Sequence, residues 1–401
     1  MATTGEIKVS PVQDEAGLEE FLRFPWRLYQ QDPYWVPPLL PEQRRFLDQH
    51  QGPFFEIGEA QYFLAHRDGE PVGRISAHLN RLYDEHYGPG TGFWGFFESI
   101  PDQRVAPALF EAAAGWLRLR GCHHLVGPLN FSIYDEMGLL VEGFDSIPAI
   151  FQTHNPSYYL DLVTSWGFRK TMDWVALRIT NREVDIPAME QRLEEILTSQ
   201  KVTLAPYNPR ELAQRAEEVF QLFNEAWSVN WGHVPLTRRQ FDHLMHEVKP
   251  LLRPELVHQL LDGDKLVGFG IVLPDLNPLV QKLNGRLTIL GKLRLLYAAR
   301  FAPVRKVRAL VIGIAQPYQL KKLNYAIVLR TYTYLVKHTP CEMADFSLIP
   351  ENLRHFPRRN TWALSKLTAS RSRPTKKATW STSTTGTRPS RANWPRAKTS
   401  T

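Results

Sequence analysis

Two cysteines in 401 residues, Cys122 and Cys341, leave nothing for a disulfide framework and no spacing for a metal knuckle. Both read as reduced thiols of a cytoplasmic protein. Long apolar runs are also missing. The longest fall well short of the ~20 residues that a transmembrane helix needs. The opening MATTGEIKVS carries no hydrophobic leader. Acidic residues are missing from one region: residues 365–401 hold nine Lys or Arg and no Asp or Glu. Without that stretch the net charge of +7 becomes −2 for residues 1–364. A nearly neutral body excludes a specific nucleic-acid partner. The stretch is also nearly devoid of branched apolar residues, so it cannot offset the entropy of ordering. It reads either as a disordered basic tail or as a change of reading frame near residues 356–364.

What is present has a repeated plan. Hydrophobic residues make up 43% and charged residues 22%, the balance of a globular chain long enough for two or three domains. Asp68-Gly69 is a hairpin turn signal between QYFLAH and PVGRISAHL, and Asp262-Gly263 sits likewise between LVHQLL and KLVGFGIVL. Upstream of each lies a tryptophan, Trp35 or Trp231, after an amphipathic helix (residues 18–29 and 212–227). The glycines are 194 apart and the tryptophans 196, which points to an internal duplication. Each half continues as strand, helix, strand: 92–98, 102–120 and 124–131 in the first, 308–315, 320–338 and 342–348 in the second. Val105, Leu109, Ala113, Trp116 and Leu117 mark the buried face of the first of these helices. A strand-helix-strand unit of this length makes a parallel pair, so each half is expected to be a mixed α/β sheet flanked by helices. The boundaries are residues 1–182, 183–364 with an insert at 278–305, and the tail 365–401. The insert carries six cations among leucines and alanines. It suits a membrane-surface or partner-binding helix or, more commonly, a packed helix with a solvated basic face.

Residues 155–179, NPSYYLDLVTSWGFRKTMDWVALRI, read as a short helix with Leu160, Val163 and Trp166 on one stripe, a stop at Gly167, and a strand over 171–179. A helix closed by Gly-Phe before a final strand resembles the end of a GCN5-related N-acetyltransferase (GNAT) domain. DPYWVPPLL, GPLNFSIYDEMGLLVEGFD followed by NPSYY, and NEAWSVNWGHVPLT are similar, more closely, to a bacterial group of double-GNAT proteins, YghO-like. The resemblance spans residues ~10–355, as far as the repeated plan extends.

That resemblance implies a cleft between the two central parallel strands that takes acetyl-CoA or another acyl-CoA, with no metal. It implies direct transfer of the acyl group to a small-molecule amine. The strand would supply Ile312, Gly313 and Ile314, the following turn and helix Gln319, Lys321, Lys322 and Asn324, and the segment after the next strand (342–348) Asn352. Unpaired N–H groups and the positive end of a helix favour phosphate. The family's phosphate loop is glycine-rich. Here its glycine places hold Leu323 and Tyr325, and in the first half the loop is Ser99-Ile100-Pro101-Asp102-Gln103-Arg104, where Asp102 reads as a helix cap. The second half is therefore the expected acyl-CoA site. The family's usual catalytic tyrosine falls at Val163, leaving Tyr158 and Tyr159 as displaced acids or packed aromatics.

Other candidates come from the residues themselves. Asp135 and Glu136 are paired acids beyond a strand, suited to a general base or an amine site, or to a solvated turn. Asn130 suits a backbone bulge or a ligand. Trp227, Trp231 and His233 are candidate walls of an acceptor site, or packing beneath a loop. His243 and His246 are three apart on a predicted helix and lack a third metal ligand. The leading reading is an acyl-CoA-dependent N-acyltransferase. Its rivals are a non-catalytic GNAT-fold scaffold and a Fem-like aminoacyl transferase, the latter ill-suited to a neutral body.

Overall fold

The computed structural model describes residues 5–180, 185–206, 208 and 214–350. The first half runs β1 (Ile7–Pro11), α1 (Glu15–Leu28), α2 (Leu40–Leu47), β2 (Gly58–Arg67), β3 (Glu70–Asn80), α3 (Arg81–Tyr87), β4 (Thr91–Ser99), α4 (Val105–Arg118), β5 (His124–Val126), α5 (Tyr159–Ser165) and β6 (Trp174–Thr180). After α6 (Ile186–Gln200), the second runs β7 (Thr203–Pro206), α7 (Ala216–Trp227), α8 (Arg238–Val248), β8 (Val257–Asp262), β9 (Lys265–Pro274), α9 (Asn277–Leu283), α10 (Ile289–Phe301), β10 (Lys306–Ile314), α11 (Leu323–His338) and β11 (Met343–Pro350).

Both Asp-Gly signals make hairpins, by different turns. Arg67 pairs Glu70 across Asp68 and Gly69, both with positive φ, as a type I′ turn requires. In the second half Asp262 pairs Lys265, so Gly263 and Asp264 form the turn and only Gly263 has positive φ. Two mixed sheets result, ordered β1-β2-β3-β4-β5 and β6-β11-β10-β9-β8-β7. The parallel pairs are β4/β5 and β10/β11, bridged by the crossover helices α4 and α11. Val105, Leu109, Ala113 and Leu117 of α4 are buried against the first sheet, with Trp116 half-buried under Arg120.

Three expectations change. The strand of residues 124–131 ends at Val126: a cis peptide precedes Pro128, which has no N–H for a ladder. Helix α11 starts at Leu323, after a 3-10 turn over Gln316–Lys321 and a left-handed Lys322. The stripe of α5 is rotated, burying Tyr159, Leu162 and Val163 while Leu160 and Trp166 are half-buried. The residues from 351 onward, including the whole basic tail and Asn352, lie outside the described residues.

The strand expected after Gly167 forms, but it joins the other half's sheet. Strand β6 pairs antiparallel with β11, from Thr180–Met343 to Trp174–Pro350, and Arg178 Nε donates to Asp345 Oδ1 at 3.0 Å across that pair. Further bonds tie the halves together. Tyr87 Oη donates to the His233 carbonyl (2.8 Å), Asn277 Nδ2 to that of Pro148 (2.8 Å), and Gln281 Nε2 to those of Pro33 and Trp35 (2.9 Å each).

Candidate active site

Strands β10 and β11 are paired from Lys306–Met343 to Ala309–Phe346 and then part. A register shift between Ala309 and Val311 marks the point of departure. Beyond it β10 keeps β9 on one side, while β11 follows β6. Residues 310–314 thus have one edge with no strand partner. A cavity of about 990 Å³ opens at this fork and runs between the two halves. Ile312, Ile314, Gln319 and Asn324 line it, as does Trp227, which stacks on Phe223 with centroids 4.7 Å apart. Gly313 lies on the opposite face of the strand from Ile312 and Ile314: a Cβ there would lie 2.8 Å from the Phe269 ring and 3.3 Å from that of Trp227, two rings that also line the cavity. Past the fork, α11 begins without a side-chain cap. Lys321 and Lys322 stand exposed beside its first turn, Lys321 with its Nζ 4.4 Å from the Tyr318 ring centroid.

The corresponding fork of the first half is filled by the protein itself. Strand β4 also bulges, at Phe96 with φ of 46°. The Phe96 N–H donates to Asn130 Oδ1 at 2.7 Å, and the Leu129 N–H to the Trp94 carbonyl at 2.8 Å. At Ser99 the N–H donates to Tyr159 Oη (2.9 Å), while Tyr158 Oη donates to the carbonyl (2.7 Å). The chain at Leu129 lies so close that a Cβ on Gly95 would sit 1.8 Å from its oxygen. Before α4, Asp102 accepts the Arg104 N–H (2.9 Å) and pairs with the Arg104 and Arg67 guanidinia, which hold its carboxyl below the usual range. It turns the approach to α4, whose N-cap position is Arg104, and it leaves a carboxylate where a phosphate would come. Asn130 and Tyr158 thus complete the fold of this strand, and Asn130 also lines the main cavity.

The cavity is apolar at large, with a polar middle. Glu98 accepts from Tyr29 Oη (2.8 Å) and Tyr159 Oη (2.6 Å), with Arg74 at 3.7 Å, and burial pushes its carboxyl up. Arg308 is a buried charge in a strand that is otherwise apolar after its first residue, Lys306. It donates to the Ile150 carbonyl and feels Asp345, Asp275 and Glu136, yet burial lowers it to about 10. Glu136 lines the same cavity. Glu136 accepts from Asn130 Nδ2 at 3.2 Å. Asp135 accepts from the Ser132 N–H (3.1 Å) and hydroxyl (2.6 Å), and burial still pushes it up to about 7. Glu247 on α8 lines the same cavity, also pushed up to about 7 by burial and the charge of Glu42, with His243 Nε2 3.6 Å from it.

Of the acceptor candidates, Trp227 and Asn130 meet the main cavity. Trp231 borders a small separate void beside Ile133. His233 is a buried latch between the halves, its Nδ1 2.6 Å from Tyr134 Oη and its pKa lowered to about 4 by burial. Glu98, Arg74, Arg308 and Glu247 escaped the sequence reading. A lone arginine inside an apolar strand was the signal for Arg308; the others meet only through tertiary contacts. Both cysteines are buried free thiols with raised pKa, Cys122 at about 11.

A forked parallel pair with a crossover helix, repeated twice, is the architecture of tandem GNAT N-acetyltransferases. A tandem GNAT protein from the clavulanic acid biosynthesis pathway matches with a TM-score of 0.50 and 11% identity, over 94% of this chain and 98% of that one. The GCN5-related glucosamine N-acetyltransferase region of a fungal multi-domain GH3 β-N-acetylglucosaminidase gives 0.52 and 11%, over 95% of this chain and 38% of that one. No family model matches. Sequence relatives are closer. The bacterial ceramide synthase of Caulobacter vibrioides is 34% identical over 320 residues, 79% of this chain and 83% of its own. Protein YghO of Escherichia coli is 31% identical over 314 residues, 78% and 80%. The chain belongs to the family of these two proteins.

Proposed function

We propose that this protein is an N-acyltransferase that moves a long acyl chain from acyl-CoA to the amine of a long-chain lipid, giving a ceramide-type amide. The carrying observation is the open edge of β10 facing a large apolar cavity, at the upper end of the ~300–1,000 Å³ usual for ligand sites. The free backbone groups of residues 310–314 hold the pantetheine arm. Lys321, Lys322 and the uncapped start of α11 attract the pyrophosphate. Alkyl chains fill the apolar walls. In the polar middle, Glu136 holds the amine and Asp135, poised near neutral pH, takes its proton. The amine nitrogen bonds to the thioester carbonyl carbon, the carbon–sulfur bond breaks, and the CoA thiolate leaves and is protonated. The relatedness to a bacterial ceramide synthase supports this acceptor class.

A second reading, lipid binding without transfer, is favoured by the loss of loop glycines at Leu323, which is fully buried, and Tyr325. A transfer assay decides between them. Acyl-CoAs of increasing length are offered with amines of increasing chain length, and amide product is followed by mass spectrometry. Product that rises with both chain lengths is expected. Binding of acyl-CoA with no amide from any amine would remove the transferase reading.

A further inference from the structure

Nine large hydrophobic side chains are exposed among the described residues, and six of them, Ile289, Leu290, Leu293, Leu296, Tyr297 and Phe301, lie on α10. The helix fully buries only Gly291 and Ala299, with Leu295 and Ala298 partly covered. At 3.6 residues per turn these four share one side, and the six exposed residues share the opposite side. Helix α10 is thus apolar toward the body and apolar toward the outside. Charge borders the outer stripe, with Lys292 on one flank and Arg294 on the other, and the exposed Arg300 falls within it. From residue 278 to 305 there are six Lys or Arg and no Asp or Glu. The helix is fastened by its carbonyl end: Arg253 donates Nε to Ala299 O (2.6 Å) and Nη2 to Ala298 O (3.0 Å) and Ala302 O (2.7 Å). Leu295 and Ala299 of its inner side, together with Lys292 and Leu296 at the border of the outer stripe, form a wall of the main cavity.

We infer that α10 docks the protein on an anionic lipid bilayer, with Leu293, Tyr297 and Phe301 inserted and the flanking cations over acidic headgroups. Thirteen residues rise about 20 Å, too short to cross a ~30 Å hydrocarbon core, so the helix lies in the interface. The basic frame selects anionic lipid and repels a second copy of the same face. The cavity then opens beside the bilayer that would supply a lipid substrate. Only that last clause rests on the transferase reading.

Co-sedimentation of the full chain with phosphatidylcholine vesicles, with and without phosphatidylglycerol, tests the docking. The protein is expected to pellet with phosphatidylglycerol vesicles, weakly with phosphatidylcholine alone, and to be released by salt. Leu293→Ser with Tyr297→Ser and Phe301→Ser should weaken pelleting tenfold or more, and Arg294→Glu with Arg300→Glu at least about fivefold per charge removed. All five side chains are exposed, and an unchanged circular dichroism spectrum and melting midpoint verify folding. Failure to pellet overturns the inference. So does equal pelleting by the triple serine variant, which would assign binding to the basic residues 365–401. A triple variant that loses self-association in gel filtration and keeps the vesicles overturns it too. Sedimentation needs no turnover, so a negative transfer assay leaves the docking standing.

Discussion

Asp135 combines two requirements that conflict. Its place on the cavity wall and its pKa near 7 suit proton removal from an amine, while its burial costs stability once it ionises. Its folded pKa lies above the unfolded value, so the folded state holds a proton more tightly between about pH 4 and 7, and the cost is complete above pH 7. Asp135→Asn should therefore lower kcat by roughly 10²–10⁴-fold and abolish the rise in rate through pH 7. The same variant should be more stable than the parent at pH 8, by on the order of 1–2 kcal/mol allowing for solvent in the cavity, with the gain gone near pH 4. Urea melts at the two pH values read this directly, and equal gains at both would remove Asp135 from this role. The paired acids stood out as two carboxylates past the strand expected over 124–131; that strand ends at Val126, and the loop after it carries them to the cavity wall. His233 was not placed correctly, because a histidine among tryptophans looks the same in sequence whether it faces a ligand or fastens Tyr134.

Among the elements, β4 and β10 hold equivalent places in the two sheets and differ in what lies along one edge. Asn130 and Tyr159 answer the N–H groups of β4, whereas the matching edge of β10 faces the cavity. A thermal-shift titration with a long acyl-CoA should stabilise the protein by about 2.7 kcal/mol at 100 times its Kd. Lys321→Glu with Lys322→Glu should remove most of that shift, and an intact shift would put the ligand elsewhere. Hairpins and crossovers were legible because Asp-Gly turns and 3.6-residue stripes are local signals. The fork was only partly so, since a strand's sequence does not say where its neighbour leaves. The outward face of α10 was obscured because apolar residues on two opposite sides cancel any one-sided pattern.

For the whole molecule, the exchange of β6 makes two domains in sequence into one unit in energy. Its partner β11 lies about 160 residues further on, and nothing in either strand's composition announces the pairing. Calorimetry should show one cooperative transition. Arg178→Ala, a change in the first half, removes the ion pair to the largely buried Asp345, leaving it Arg308 as a charged neighbour, and should lower that whole transition by about 1–3 kcal/mol. Two separated transitions, one of them unmoved by the variant, would contradict this.

The exchange also sets a timetable. When residue 180 leaves the ribosome, the strand has no sheet to join until residues 343–350 are made. At 5–20 residues per second that wait is roughly ten to thirty seconds. The growing chain must carry a loose β-segment for that interval, and its yield should depend on translation speed and on chaperones near the exit tunnel.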